Sequence, residues 1–465
     1  MHDNLLYFMT SRIPRHITRL YRRGEFSKAI VLLRRLLASN GRLNDEYKTR
    51  ILYEIERLKR IRLDFRYTRS DALKMLSEEI RDFKPSEFDE WMRRGCIDYR
   101  VIDGEILFFE RFIDNLFKLC PDLRERRVKP EDARRREARE KLFKHIEAVS
   151  TGSDGYKMPV RNRIKMTIKV KPNVVPEGEV IRCWIPFPRI CPLQPEVKLL
   201  STDPASYILA PEDHLQRTIY MERESRSGEP TTFTVEYEYT VRAFYRRINP
   251  DEVEEYDEGS EVYRRYTAEK PPHISFTGRL EELAWKIVDG ERNPYLKALK
   301  IMKWIIGNVR YAFAFEYSTY ENISEYVAEH KRGDCGMQAL LFITLCRIVG
   351  VPARWQSGWY AHPDRPSLHD WAQFYIEPYG WLYADPSFAN SITKERGKLG
   401  LFYFGNIDHY RLVFNNDISI QFYPEKKFFR SEPVDSQRGE LEWRGGNLYY
   451  DKWEYKLELV RVKNG

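Results

Sequence analysis

Met337, Leu340, Leu341, Thr344, Leu345 and Ile348 recur at the spacing of a helix, and Gly350 stands where a helix closes on a left-handed residue. Cys335 opens that run, inside Gly333-Asp334-Cys335-Gly336. The first turn of a helix presents unpaired N–H groups and the positive end of the dipole. An anion is favoured there, so the thiolate of Cys335 is expected to form more readily than that of a free cysteine. Gly333 and Gly336 leave the sulfur open to approach. Cys346 lies mid-helix, without dipole or partner, and reads as an inert core thiol.

Two strand-like runs follow, His369 to Ile376 and Trp381 to Asp385, separated by Glu377-Pro378-Tyr379-Gly380, a turn signal. They predict a hairpin. Side chains alternate along a strand, so His369 and Asp385 share a face when paired residue numbers have an even sum. Direct opposition needs a turn centred on residue 377, whereas the Pro-Gly signal falls slightly later. A wider loop or a bulge is therefore expected. A histidine within hydrogen-bonding distance of the cysteine would complete a thiolate–imidazolium pair, and a carboxylate behind the histidine would fix its tautomer.

Gly-x-Cys-Gly before a helix, Gly-Val-Pro-Ala-Arg (Gly350 to Arg354), His-x-Trp (His369 to Trp371) and Gly-Trp-x-x-x-Asp-Pro (Gly380 to Pro386) occur in that order. Together they resemble the transglutaminase-like superfamily. The resemblance implies a papain-like core in which Cys335 is the nucleophile, His369 the general acid/base and Asp385 the orienting carboxylate. Sulfur and imidazole would then lie within about 4 Å, allowing for loose geometry before substrate binds. The Cys335 backbone N–H is the one oxyanion donor the sequence offers. The implied chemistry is acyl transfer on a peptide or protein amide through a thioester. Water as acceptor makes a cysteine protease or amidase, an amine makes a transglutaminase, and the sequence leaves both open. No cofactor is implied. Two other readings stay open: a binding module that kept the fold without the chemistry, and a nucleic-acid-associated protein using its basic N-terminal part.

At 465 residues, 42% hydrophobic and 14% aromatic, the chain is globular and longer than one core usually holds. Four regions are expected in an α+β protein, with the core preceded by a sandwich and a helical domain. Residues 1–150 read as a basic helical domain carrying 35 Lys and Arg against 26 Asp and Glu. Helical patterns cover Phe26 to Leu37, Glu46 to Leu63, Ser70 to Ile80, Ser86 to Arg93 and Glu131 to Ala148, with Ser70-Asp71 and Ser86 as N-caps. Ile97 to Phe109 reads as a hairpin turning at Asp103-Gly104. A basic helical unit with a hairpin invites a winged-helix reading, but acidic residues interleave with the basic ones and argue against a nucleic-acid surface.

Residues 160–249 alternate with period two, as in Ile164, Met166, Ile168 and Val170 and again in Phe233 to Val241, and predict an antiparallel β-sandwich. The core is expected over 250–400, with helices at Leu280 to Val288 and Tyr295 to Ile306. Residues 401–465 read as an aromatic-rich β extension packed on it. The six cysteines show no disulfide spacing, and His330, Cys335, His362 and His369 show no zinc-ligand spacing, so neither a disulfide framework nor a metal is expected. No run of about 18 apolar residues exists, so no membrane span is expected. Met1 to Met9 lacks the features of a secretory signal, and the expectation is a cytoplasmic protein.

Overall fold

The computed structural model describes residues 4–39, 43–129 and 132–462. Met1 to Asp3 of the N-terminal reading, and Glu131 at the expected start of the connecting helix, lie outside the described residues. That helix is described over Ala133–Val149.

In the N-terminal part, helices Phe26–Ser39, Asp45–Asp64, Arg69–Glu79, Pro85–Arg93 and Phe112–Leu119 surround a three-stranded sheet. The hairpin is present, Tyr99–Ile102 against Glu105–Phe109, and Asp103 and Gly104 both have positive φ, as a two-residue primed turn requires. Phe65–Tyr67 pairs on its other side. The caps differ from expectation. Thr68, not Ser70, starts its helix, because Thr68 accepts from the Asp71 N–H while Asp71 accepts from the Thr68 N–H. Pro85 opens the next helix, with Lys84 rather than Ser86 at the cap. Cys96 and Cys120 form a disulfide, a bridge that the cysteine spacing did not announce. They sit after two different helices, 24 residues apart, and only the tertiary packing brings their Cα atoms to 5.9 Å.

A few of the basic residues of this part are buried and paired. Glu54 is fully buried between Arg50, at 2.7 Å, and Arg57, and Arg57 also donates to the Thr319 carbonyl at 2.9 Å. Arg332 pairs with buried Asp98. The Arg57–Thr319 and Asp98–Arg332 bonds tie the N-terminal part to the core.

The sandwich has two sheets, one of four strands built on Gly155–Val170 and Thr231–Tyr245, the other of five built on Val180–Pro186 and Thr218–Glu224. The alternating residues Ile164, Met166, Ile168, Val170, Phe233, Val235, Tyr237, Tyr239 and Val241 are all buried. The C-terminal residues do more than cover the core. Trp453–Arg461 pairs along Gly155–Val170, Glu440–Trp443 pairs with Val180–Pro186, and Arg411–Asn415 forms an edge of the core sheet. Alternation announced strands there without naming their partners.

The core sheet runs Phe404–Gly405, Gly380–Ala384, Ser367–Ile376, Ala353–Tyr360, Arg411–Asn415, all antiparallel. Helix Cys335–Ile348 packs on one face, Phe342 against Phe374 at 5.8 Å between ring centroids, with helices Gly278–Val288, Pro294–Asn308 and Ile323–His330 around it. The ladder from Ala372–Ala384 to Ile376–Gly380 is regular. Of the two alternatives, a wider loop or a bulge, the loop is found: three residues, 377–379, centre the turn on residue 378 and keep the parity that puts His369 and Asp385 on one face. No helix among the described residues is long and apolar enough to cross a membrane.

Gly358 pairs with His369 on one side and Val413 on the other. A Cβ there would overlap the Leu412 carbonyl oxygen. Gly358→Ala should therefore destabilise the fold by about 1–3 kcal/mol, the usual cost of overpacking. Urea unfolding checks this, and a midpoint equal to wild type would show that the two strands have room to part.

Candidate active site

Cys335 is the first residue of its helix, held there by Asp334, whose side chain accepts from the Met337 N–H at 3.1 Å and from the Tyr317 hydroxyl at 2.6 Å. Glycine is required at 336, since a Cβ would collide with the Tyr317 hydroxyl, the Asp370 carboxyl and the Trp355 ring. The sulfur donates to Asp370 Oδ2 at 3.5 Å and is 7% exposed. Burial first, then the carboxyls of Asp370 and Asp334, push its thiol well above the ordinary cysteine value. The expectation of an easily formed thiolate is corrected in this arrangement: the helix terminus is present, but it is closed in and faced by acids.

Asp370 is itself held. The Gln437 amide donates to its Oδ1 at 2.6 Å and to the His369 carbonyl at 3.1 Å, and Asp435, bonded to the Ser357 hydroxyl, lies beside it. Burial and the neighbouring Asp435 charge push Asp370 well above the usual carboxylate range. Burial pushes Asp334 up to about 6, against the hydrogen bonds from Tyr317 and Met337 that lower it.

His369 Nε2 lies 2.6 Å from Asp385 Oδ2. Asp385 ends its strand segment and caps helix Pro386–Arg396. Its Oδ1 accepts from the Phe388 N–H and the Ser387 hydroxyl, both at 3.0 Å, and its Oδ2 also accepts from Arg411 at 2.9 Å. Burial opposes the charge, but His369 and Arg411 together hold Asp385 far below the usual carboxylate range. An ionised carboxylate can only accept, so His369 must carry its proton on Nε2, leaving Nδ1 free to accept one. Burial also lowers the imidazole from its ordinary value, against the pull of Asp385, so at neutral pH it is an uncharged base. Arg411 is fully buried and shared with Asp408, which also accepts from the Tyr403 hydroxyl at 2.7 Å. Trp371 stacks beside the imidazole at 5.9 Å and donates to Gln356 at 2.8 Å.

Thus His369 and Asp385 are brought together as a pair, and the sulfur is brought to Asp370. Consecutive strand residues point to opposite faces. Asp370 is on the side of Trp355 and the cysteine helix, and His369 is on the side of Tyr360, Trp371 and Phe388. No hydrogen bond joins Cys335 to His369 among the described residues. Arg411, Asp408, Asp370, Asp435 and Gln437 escaped the sequence reading. Asp370 alone had a local signal, as the neighbour of His369, while Gln437 lies 67 residues away from Asp370 in no motif.

Residues 281–386 match the model of the Transglutaminase-like superfamily. The matched segment contains Cys335, His369 and Asp385. Among solved structures the chain is similar to a candidate cysteine protease of Cytophaga hutchinsonii, at 17% identity and a TM-score of 0.45, over 67% of this chain and 93% of that one. It is also similar to the periplasmic domain of TgpA from Pseudomonas aeruginosa, at 13% identity and a TM-score of 0.26, over 53% of this chain and 98% of that one. A candidate protease of Parabacteroides distasonis shows 13% identity and a TM-score of 0.22, over 57% of this chain and 48% of that one. No curated protein matches.

The Asp370 carboxyl is the sulfur's hydrogen-bond partner, so Asp370→Asn should lower the midpoint of the Cys335 alkylation rate against pH by about one unit or more, one unit being ~1.4 kcal/mol. Iodoacetamide kinetics with mass-spectrometric assignment of the modified residue give that midpoint. An unmoved midpoint would mean that Asp370 does not act on the thiol. In the wild-type chain, Cys335 should be modified before Cys346, which is wholly enclosed.

Proposed function

We propose that the chain is a cysteine-dependent acyl-transfer enzyme acting on peptide or protein amides, with Cys335 as nucleophile, His369 as general acid/base and Asp385 as its orienting carboxylate. The observation that carries this reading is the buried His369–Asp385 pair, 2.6 Å apart, inside the segment matched to the superfamily. Its Nδ1 is unprotonated and the carboxylate behind it is charged, which is the state a general base needs.

For turnover the sulfur must leave Asp370 and give its proton to His369 Nδ1. The thiolate then attacks the amide carbonyl carbon, the C–N bond breaks, and the imidazolium returns its proton to the leaving amine, giving a thioester. Water releases the acid and makes the enzyme a hydrolase; a primary amine forms a new amide and makes it a transglutaminase. A second reading is favoured by one observation. The sulfur is bound to Asp370 and almost enclosed, as it would be in a binding module that keeps the fold without using the thiol.

A panel of peptides, each incubated with a labelled primary amine, distinguishes these outcomes by reporting hydrolysis and amine incorporation together. Cys335→Ala should abolish both. Asp385→Asn should lower kcat by about 10²–10⁴-fold, since it changes the bond that sets the imidazole tautomer. Adding His369→Ala to Cys335→Ala should cost almost nothing further, because the groups act as one unit. If the wild type processes a peptide and Cys335→Ala does so equally, the chemistry lies elsewhere. If no peptide reacts, the binding-module reading stands.

A further inference from the structure

Helix Ala133–Val149 is held to the core at its surface by three ion pairs, Lys141 to Asp364 at 2.9 Å, Arg139 to Glu395 at 3.5 Å and Glu140 to Arg396 at 2.9 Å. Pairs this open to water and salt hold weakly. Beneath them His145 is buried against His409, with ring centroids 3.8 Å apart, and against Tyr410 at 5.3 Å. Tyr410 packs on His362 at 4.5 Å, His362 stacks on Tyr360 at 5.8 Å, and Tyr360 meets the His369 ring at 6.4 Å. A continuous row of rings thus runs from this helix to the imidazole of the candidate site. His362 stands on the 361–366 connection between strands Ala353–Tyr360 and Ser367–Ile376, the second of which carries His369.

The hydrogen bonds along this row require uncharged imidazoles. His145 Nε2 accepts from the His409 backbone N–H at 3.4 Å, and His409 Nε2 accepts from the Arg461 guanidinium at 3.3 Å, a group that can only donate. His409 Nδ1 then carries the proton and donates to the Met158 carbonyl at 3.3 Å. His362 Nδ1 accepts from the Asp364 N–H at 3.2 Å, which leaves its proton on Nε2, buried and without a hydrogen bond among the described residues. A second proton on any of the three puts a donor where an acceptor is needed. Arg461 and Lys141 oppose that proton, and Asp408 and Asp364 favour it. Both carboxylates are already engaged, Asp408 by Arg411, Tyr403 and the Tyr410 N–H, and Asp364 by Lys141. The phenols of Tyr360 and Tyr410 stay uncharged. Burial decides the balance and lowers all three imidazoles, His409 to about 3.

We propose that His145, His409 and His362 form an acid-operated latch on helix Ala133–Val149: protonation parts the helix from the 361–366 connection and loosens the strand end that carries His369. The latch does not rest on the acyl-transfer reading. At neutral pH the apolar contacts of Leu142, Phe143 and Ile146, all buried, keep the helix in place. The sign follows from where the protons bind. An imidazole released to water binds a proton at its ordinary value of about 6.5, and a buried one resists it, so the closed form is fully favoured above about pH 6.5 and loses ground as the pH falls through that value. Each histidine that titrates only in the opened form favours opening by about 25-fold between pH 7 and pH 5.

Hydrogen exchange of the full chain at pH 7 and pH 5, corrected for the intrinsic pH dependence of amide exchange, tests the latch. Opening of peptides within 133–149 and 361–366 should rise by about 25-fold or more on acidification, while strand Val180–Pro186 of the sandwich keeps its protection. The double variant His145→Gln/His409→Gln puts amides in place of both rings, with groups that can still accept and donate, and should lose most of that rise. A rise of wild-type size in the folded double variant overturns the latch. So does wild-type protection that is the same at both pH values, or an acid loss shared equally by Val180–Pro186, which is global unfolding. If circular dichroism shows the double variant unfolded at pH 7, His362→Gln decides in its place. Its rise should be smaller than that of wild type by about fivefold or more, and an equal rise overturns the proposal.

Discussion

The carboxylate of Asp385 is the charge on which the half of the molecule around the candidate site depends. It is 1% exposed, and a buried charge survives only when it is paired and hydrogen-bonded. Each of its oxygens accepts two bonds, from Phe388 and Ser387 on one and from His369 and Arg411 on the other. These bonds do structural work beyond the site. The Phe388 bond starts helix Pro386–Arg396, and Arg411 ties the far edge strand to Asp408 and Tyr403. His369 and Arg411 both bond Oδ2, so the imidazole orientation and the attachment of the edge strand are coupled through that one atom.

Legibility from the sequence followed the range of the interactions. The cysteine helix, the hairpin at Asp103-Gly104 and the alternating strands of the sandwich are set by local spacing and turn chemistry, and the residues themselves announce them. Parity along the hairpin correctly placed His369 and Asp385 on one face because the side-chain period of a strand is fixed. The Cys96–Cys120 disulfide and the partners of Trp453–Arg461 have no local signature, since both arise when distant segments pack. Arg411, Asp435 and Gln437 were hidden for the same reason: each reaches the site from the C-terminal part of the chain across the sheet.

The thiol shows how a local rule loses to tertiary context. A helix N-terminus favours an anion by about 0.3–1 kcal/mol when exposed and up to ~2 kcal/mol when partly buried. Full burial of an ionisable group can shift its pKa by about 3–5 units, at ~1.4 kcal/mol per unit. With Asp370 and Asp334 adding like charge, burial wins and the resting sulfur stays protonated. The dipole argument was sound in sign and too small to decide the outcome.

The same comparison separates the two sides of strand Ser367–Ile376. On one side an ionised carboxylate is satisfied by four donors and hands its neighbour a defined tautomer. On the other, Asp370 and Asp435 are too close for both to ionise readily, so a proton stays near the sulfur. His369 and Asp370 are adjacent in sequence, yet one is arranged to take a proton and the other to withhold it. Gln437, bonded at once to the Asp370 carboxyl and the His369 carbonyl, ties these two neighbours to one side chain.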